Sequence, residues 1–323
     1  MIRIGIYGYG NIARGVECAV RQNPDVTLAA IFTRREPKTV KTVFGETPVF
    51  RADEVTVHAY DIDVMILCGG SATDLPVQTP QLAKYFNVID SFDTHARIAE
   101  HFANVDAAAK EGGKTAVISV GWDPGLFSLN HLYAAAILPD GRDYTFWGRG
   151  VSQGHTDAVR SIDGVLFARE YTIPAEEAKE SLRKGRLLNL PQEKLHRRVC
   201  YVVAKDGADR EKIRNEIINM PEYFKGYETE VNFISLDDFL LEHKSMAHAG
   251  NVIALRKGAA GTDRLEFLLS SPSNPQITAG ILLAYGKACV RMNRKNECGC
   301  KTVFDVRPAD LFCGAKGKET ELL

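Results

Sequence analysis

The feature that most constrains this chain lies at its start, where the apolar run Ile2, Ile4, Ile6 meets Gly8-x-Gly10-x-x-Ala13. A helical pattern opens directly behind it through Val16, Ala19 and Val20. The spacing predicts a strand, a tight turn and a helix. Gly8 makes the turn, Gly10 lets backbone approach a pyrophosphate with no Cβ in the way, and Ala13 lets helix pack closely on strand. The helix N-terminus then presents free N–H groups and the positive end of its dipole to phosphates. A Gly-rich turn that binds nothing has the same local pattern, so the next strand has to decide.

That strand is Thr27-Leu-Ala-Ala-Ile-Phe32, and it ends in Thr33-Arg34-Arg35. A dinucleotide site for NAD places an acid near this point to take the ribose 2′-hydroxyl. Here a hydroxyl and two guanidiniums stand instead, the groups a 2′-phosphate calls for, because the Arg fork matches phosphate oxygens bidentately. The expected cofactor is therefore NADP. Glu36 is the neighbouring residue that would reverse this preference.

At 323 residues the chain is long enough for two domains, each with its own core. Its 40 basic residues balance 41 acidic ones, which argues against a nucleic-acid or membrane-surface partner. No apolar run reaches the roughly 20 residues of a spanning helix, and strand residues begin at Ile2, so no signal peptide is expected and the predicted location is cytoplasmic. Cysteines 18, 68, 200, 289, 298, 300 and 313 lack the paired spacing of a zinc site. No metal is expected, and the thiols read as reduced.

Along the chain, Glu36 to Glu54 reads as loop with at most a short element. Asp63-Val-Met-Ile-Leu-Cys68 is a near-continuous apolar run of the kind found in a parallel strand covered on both faces. It runs into a second Gly-rich turn, Gly69-Gly70-Ser71. A helix is expected over 77–86, a strand over Asn87–Asp90, a helix over 96–111 closed by Gly112-Gly113, and a strand over Thr115–Val120. Strands alternating with helices predict an α/β, Rossmann-type doubly wound parallel sheet over residues 1–121. Beyond it, β-like runs at 144–147, 197–203, 228–234 and 264–269, with helices near 126–138, 176–184 and 209–219, predict a second α+β domain over 122–275 for substrate and dimerisation. A long helix near 276–292 is expected to pack back on the first domain, with a tail over 293–323.

A substrate is then expected between the two domains, near strand ends. Asp93 follows the fourth strand with His95 beside it, and a helix N-cap is the structural alternative for Asp93. Trp122-Asp123-Pro124-Gly125 follows the fifth strand. Asp-Pro-Gly is ordinary turn chemistry, but a large ring at that point suits a cover over a ligand. Phe146-Trp-Gly-Arg-Gly-Val-Ser-Gln-Gly-His-Thr-Asp157 combines three glycines, a Trp and a run of hydrogen-bonding side chains, which suits a loop around a polar small molecule.

These segments, with Cys68-Gly-Gly-Ser-Ala-Thr-Asp74, Pro221-Glu-Tyr-Phe-Lys-Gly-Tyr-Glu228, Val231-Asn-Phe-Ile234 and Met246-Ala-His248, resemble the NADP-dependent meso-diaminopimelate D-dehydrogenases. The resemblance runs in order through the chain except for about the last thirty residues. It implies oxidative deamination of the D-centre of meso-2,6-diaminopimelate to L-2-amino-6-oxopimelate and ammonia, reversibly, with NADP. In the reverse direction the family supplies diaminopimelate for lysine and cell wall. It also implies a homodimer.

By the same resemblance the cofactor is lined by Gly8, Tyr9, Gly10, Asn11, Ile12, Thr33, Arg34 and Arg35. Cys68, Gly69, Gly70, Ser71, Ser91, Phe92 and Asp93 add to it, and so do Asp123, Pro124 and Gly125. Substrate contacts fall on Asp93, Trp122, Asp123, Trp147, Gln153, Gly154, Thr172, Arg198, His248 and Asn274. A diacid with two ammonium groups needs acids for its amines and cations or amides for its carboxylates. Asp93 and Asp123 suit the reacting ammonium, and Arg198 is the strongest single carboxylate anchor. Hydride loss requires a neutral amine, so Asp93 or Asp123, directly or through water, is expected to take a proton, with His155 as the weaker candidate. Arg149 departs from the family loop, and Arg197-Arg198 leaves open which guanidinium meets the ligand. A D-amino-acid dehydrogenase of broader range and a non-catalytic NADP-binding sensor remain the alternatives.

Overall fold

The computed structural model describes residues 1–243, 245–312 and 321, with the side chain of Gln153 outside that description. The chain divides into two compact units, Met1–Leu129 with Pro275–Leu323, and Asn130–Asn274. The first unit extends past the boundary expected at residue 121, because Trp122–Leu129 stays with the sheet it follows.

The first unit is built on seven parallel strands: β1 Ile2–Tyr7, β2 Val26–Thr33, β3 Val49–Arg51, β4 Val64–Leu67, β5 Val88–Ile89, β6 Thr115–Val117 and β14 Gly299–Lys301. Their order is β14-β6-β5-β4-β1-β2-β3. Helices α1 Asn11–Arg21, α2 Leu75–Ala83 and α3 Ile98–Gly112 are the crossovers. Helix α2 begins two residues before the expected start, with Pro76 in its first turn where no N–H is needed. Helix α3 stops at Gly113, whose φ of +63° is the left-handed cap expected of the Gly pair. Strand β4 is buried at every position, as its apolar run requires. Phe32, Met65, Phe86, Val88, Phe92 and Ala109 belong to one core cluster under the sheet.

The segment expected as a tail supplies the edge strand. Gly299, Cys300 and Lys301 pair with Thr115, Ala116 and Val117, and Cys300 N donates to Asp106 Oδ1 at 2.9 Å. Six cysteines are free thiols, and Cys313 lies outside the described residues.

The second unit opens with α4 Phe127–Ile137, which spans the unit boundary, and continues through β7 Arg142–Trp147, β8 Gly150–Val151, α5 Gln153–Arg160, β9 Val165–Pro174, α6 Glu176–Arg183, β10 His196–Ala204, α7 Arg210–Ile218, β11 Glu228–Phe233, α8 Leu236–Glu242, β12 His248–Gly258 and β13 Gly261–Ser271. Helix α9, Asn274–Asn293, returns the chain to the first unit. Two sheets form, a four-stranded β11-β10-β9-β8 and a three-stranded β13-β12-β7. The first is mixed, since β10 and β11 run parallel while β8, β9 and β10 alternate. The second is antiparallel throughout.

Candidate active site

The first turn has the geometry its glycines predict. Gly8 adopts φ +87°, and its N–H reaches Phe32 O at 2.8 Å, closing the turn onto β2. A Cβ built on Gly10 would meet no atom within 4 Å, so the backbone at the start of α1 is open to a ligand. Strand β1 lies between β2 and β4, where the strand order reverses and where doubly wound sheets bind dinucleotides. Ala13 is fully buried beneath the helix.

Arg34 and Arg35 differ in surroundings. The Arg34 guanidinium is exposed and forks onto Asp74, at 2.9 Å from Oδ1 and 3.0 Å from Oδ2. Asp74 Oδ2 also accepts from Gly70 N at 2.9 Å, which ties the arginine to the second Gly turn. Arg35 reaches back to Tyr9 O at 2.5 Å. The Tyr9 hydroxyl donates to Glu17 Oε2 at 2.5 Å, and the Glu17 carboxylate also takes the N–H groups of Val43 and Phe44. Burial, reinforced by Glu17, raises the Tyr9 hydroxyl pKa. An open phosphate turn and an exposed arginine fork at the end of β2 fit NADP. Burial pushes the nearby Cys68 thiol up to about 12, so it stays protonated.

Asp93 and Asp123 leave β5 and β6, and a buried acid shapes both departures. Asp90 Oδ1 accepts from Phe92 N at 3.1 Å and from Ser119 N at 2.9 Å, while Oδ2 takes Thr79 Oγ1 at 2.8 Å. His101 completes the set at 2.7 Å, its ring stacked on Phe92. The Asp93 side chain is exposed, and its N–H donates to Ser71 Oγ at 2.9 Å. It does not cap the following turn, where Thr94 takes that position. Trp122 is buried within the first unit, its indole N–H on Thr278 Oγ1 at 3.2 Å.

In the second unit, antiparallel pairing sets Arg198 of β10 opposite Thr172 of β9. Arg198 Nη1 donates to Thr172 Oγ1, and the hydroxyl donates to Glu170 Oε1 at 3.2 Å. Arg198 Nη1 lies 3.8 Å from that same oxygen. All three side chains are buried, the Tyr227 ring covers the guanidinium at 4.3 Å, and Arg198 Nε has no hydrogen-bond partner. Burial pushes Glu170 up to about 7 against the opposing pull of Arg198 and Thr172. Arg197 is exposed and faces Glu230, so Arg198 is the buried member of the pair.

Trp147 stacks on His196 with ring centroids 4.9 Å apart, and its N–H donates to His196 Nε2 at 2.8 Å. Burial drives that imidazole down to about 4. His248 packs on Gly150, where a Cβ would fall 2.4 Å from its Cα, and burial lowers its ring to about 4. Asn274 N donates to Met246 O at 2.9 Å, which brings it near the start of β12. Gly154 is exposed on α5, and the Gln153 side chain lies outside the described residues. His155 contacts Ser152 Oγ at 2.7 Å and packs edge-on against Tyr223 and Phe224, and burial drives it down to about 3. Burial and the Arg198 charge thus favour the neutral imidazole at His155.

Sequence reasoning missed Glu17, Asp74, Asp90, His101, Glu170 and His196. For Glu170 a signal existed: Ala168, Glu170, Thr172 and Pro174 alternate as the buried face of β9. Among the described residues no cluster of His, Cys, Asp or Glu is arranged to hold a metal.

The chain is 54% identical over 308 residues to the meso-diaminopimelate D-dehydrogenase of Lysinibacillus sphaericus, covering 94% of each. The chain belongs to the meso-diaminopimelate D-dehydrogenase family. The family model for the diaminopimelic acid dehydrogenase C-terminal domain matches residues 121–273. Among solved structures, the Corynebacterium glutamicum diaminopimelate dehydrogenase in complex with DAP superimposes with a TM-score of 0.94 at 43% identity, covering 99% of this chain and 98% of that one. An engineered D-amino acid dehydrogenase bound to NADP+ gives 0.91 at 42%, with the same coverage. In family terms, the Gly turns and the acids behind β5 and β6 lie in the first unit of this chain. The Arg198 pocket lies within the stretch the C-terminal domain model covers.

Proposed function

We propose that this chain reversibly deaminates the D-centre of meso-2,6-diaminopimelate with NADP, giving L-2-amino-6-oxopimelate and ammonia. The observation that carries the reading is Arg198, a buried cation with an unpartnered Nε beside Thr172. A buried guanidinium with an unused donor is a carboxylate anchor. By the family resemblance, His248 and Asn274 would extend that anchor, Gln153 and Gly154 would contribute to the same site, and Trp147 would supply an apolar wall for the methylene chain.

Bound NADP+ would supply the hydride acceptor for oxidation of the D-configured carbon. The chain's part is to bind, orient and move protons. Gly8, Tyr9, Gly10, Asn11 and Ile12 would hold the pyrophosphate at the α1 N-terminus, and Arg34, now paired with Asp74, would meet the 2′-phosphate. By the family resemblance, Cys68, Gly69, Gly70, Ser71, Ser91 and Phe92, with Pro124 and Gly125, would hold the nicotinamide half. Asp93 and Asp123 hold the reacting ammonium, and one of them, directly or through water, removes the proton that leaves the amine neutral. Water then attacks the substrate imine and ammonia departs. Trp122 shields the reacting centre.

The protein works in the cytoplasm as a homodimer. The dimer reading rests on Leu132, Tyr133 and Ile137 of α4 and Leu265 and Leu268 of β13, all large apolar side chains left exposed. No helix among the described residues is long and apolar enough to cross a membrane.

The deciding experiment is NADP+ reduction with meso-, L,L- and D,D-diaminopimelate and D-alanine. The meso compound is expected to be the preferred substrate and the L,L isomer inert. Preference for D-alanine overturns the assignment.

A further inference from the structure

One buried group has no place in the reaction as written. Glu170 is fully buried, yet it stands one hydroxyl away from the proposed carboxylate anchor. The Thr172 hydroxyl sends its proton to Glu170, at 3.2 Å from Oε1, while its oxygen accepts from Arg198. With Glu170 ionised, Thr172 has no proton left for a ligand. A carboxylate arriving at Arg198 would also place a second negative charge against one buried cation, which low-dielectric surroundings penalise heavily.

Among the described residues, the neighbouring elements bring no second cation against Glu170. From β10, Cys200 faces Glu170 as a thiol that burial keeps protonated. From α5, the Thr156 hydroxyl takes the Glu170 N–H, and burial together with Arg198 holds the His155 ring neutral. After β8, Ser152 N donates to Glu170 O at 3.2 Å. Ahead of β11, Tyr227 presents its ring face to Arg198. Among the described side chains that face this point, Glu170 is the one whose protonation removes a negative charge there.

We infer that Glu170 is a positioning residue that takes one proton from solvent when a ligand carboxylate binds Arg198, freeing the Thr172 hydroxyl to donate to that carboxylate. The protonated acid then donates to Thr172 Oγ1 in its turn, so the relay reverses its direction. Burial already lifts Glu170 to about 7, so a second nearby carboxylate has only to raise it further. Binding of the diacid is thereby coupled to pH, and it weakens as pH rises above neutrality. The inference rests on the reading that a carboxylate of diaminopimelate occupies the Arg198 site.

The test is calorimetric titration of meso-diaminopimelate into the NADPH-bound protein, where no turnover occurs, in phosphate and in Tris, whose ionisation heats differ. At pH 8 the wild type is expected to take up close to one proton per site, and at pH 6 close to none. Its Kd should rise toward tenfold per pH unit between 7 and 8. Glu170→Gln should bind with no proton uptake and a flat Kd over the same range. Binding by the wild type without uptake, or uptake that survives in Glu170→Gln, overturns the inference alone, and the wild-type measurement stands whether or not the variant folds. Failure of the diacid to bind at all overturns the functional reading and this inference with it.

Discussion

His101 Nε2 lies 2.7 Å from Asp90 Oδ2, and both side chains are withdrawn from solvent. Asp90 accepts from four donors, two of them backbone N–H groups in the segments that carry Asp93 and that lead to Asp123. An amide at this position keeps one oxygen and turns an NH2 group toward donors. Asp90→Asn should therefore lose about 2–4 kcal/mol of stability, read by urea unfolding. An unchanged midpoint would mean that these loops hold their shape without the acid.

Cofactor choice is tested at Arg34. Its guanidinium makes no backbone contact that the turn depends on, whereas Arg35 holds Tyr9 O. Arg34→Ala should weaken NADP by about 1–3 kcal/mol and leave NAD nearly unchanged, as measured by fluorescence titration of the two reduced cofactors. Equal losses would show that Arg34 does not read the 2′-phosphate. Arg35→Ala is expected to damage both, because it also releases the first Gly turn.

The first unit was legible because its signals are local. Alternating Ile residues, Gly8 and Gly10, the closing Gly113 and the buried run of β4 each fix their own segment. Arg34 stood out by what it replaces. Strands β9 and β12 went unread, because β9 sets polar Glu170 and Thr172 on its buried face and β12 does not alternate but is buried at every position from Gly250 to Leu255. With β9 unread, Glu170 had no face to be assigned to. Asp90 was hidden differently: it sat at a predicted strand end, and only the folded sheet brings Thr79, His101 and Ser119 around it. The edge strand β14 is three residues long and acquires its meaning only beside β6.

Stability should also depend on pH through His196. Burial lowers its ring from the ordinary 6.5 to about 4, so between those values the unfolded chain holds a proton that the native one lacks. Stability from this residue is lost as pH falls from 6.5 toward 4. Glu170, raised to about 7, acts in the opposite sense, since its folded form holds the extra proton between 4.5 and 7. His196→Gln should cancel the first effect alone. Relative to wild type, the variant should gain up to about 3 kcal/mol on moving from pH 6.5 to pH 4, followed by denaturant unfolding at each pH. A difference that stays constant with pH would mean that His196 is charged in the folded protein.

The assembly is tested on β13. Leu268 is 61% exposed on the edge strand of its sheet, where Leu265 is exposed as well. Leu268→Asp should convert a dimer to a monomer in analytical ultracentrifugation with little loss of Tm if that surface is the one that pairs. A variant that remains dimeric places the contact elsewhere.

Strand β14 carries a consequence for biosynthesis. The polypeptide leaves its first unit after Leu129, builds the whole of the second, and only then returns to lay Gly299–Lys301 along β6. A ribosome making this protein thus releases the amino-terminal half well before that half is finished. Until Lys301 emerges, β6 is an open seam, and Asp106 waits for the Cys300 N–H that it will eventually accept.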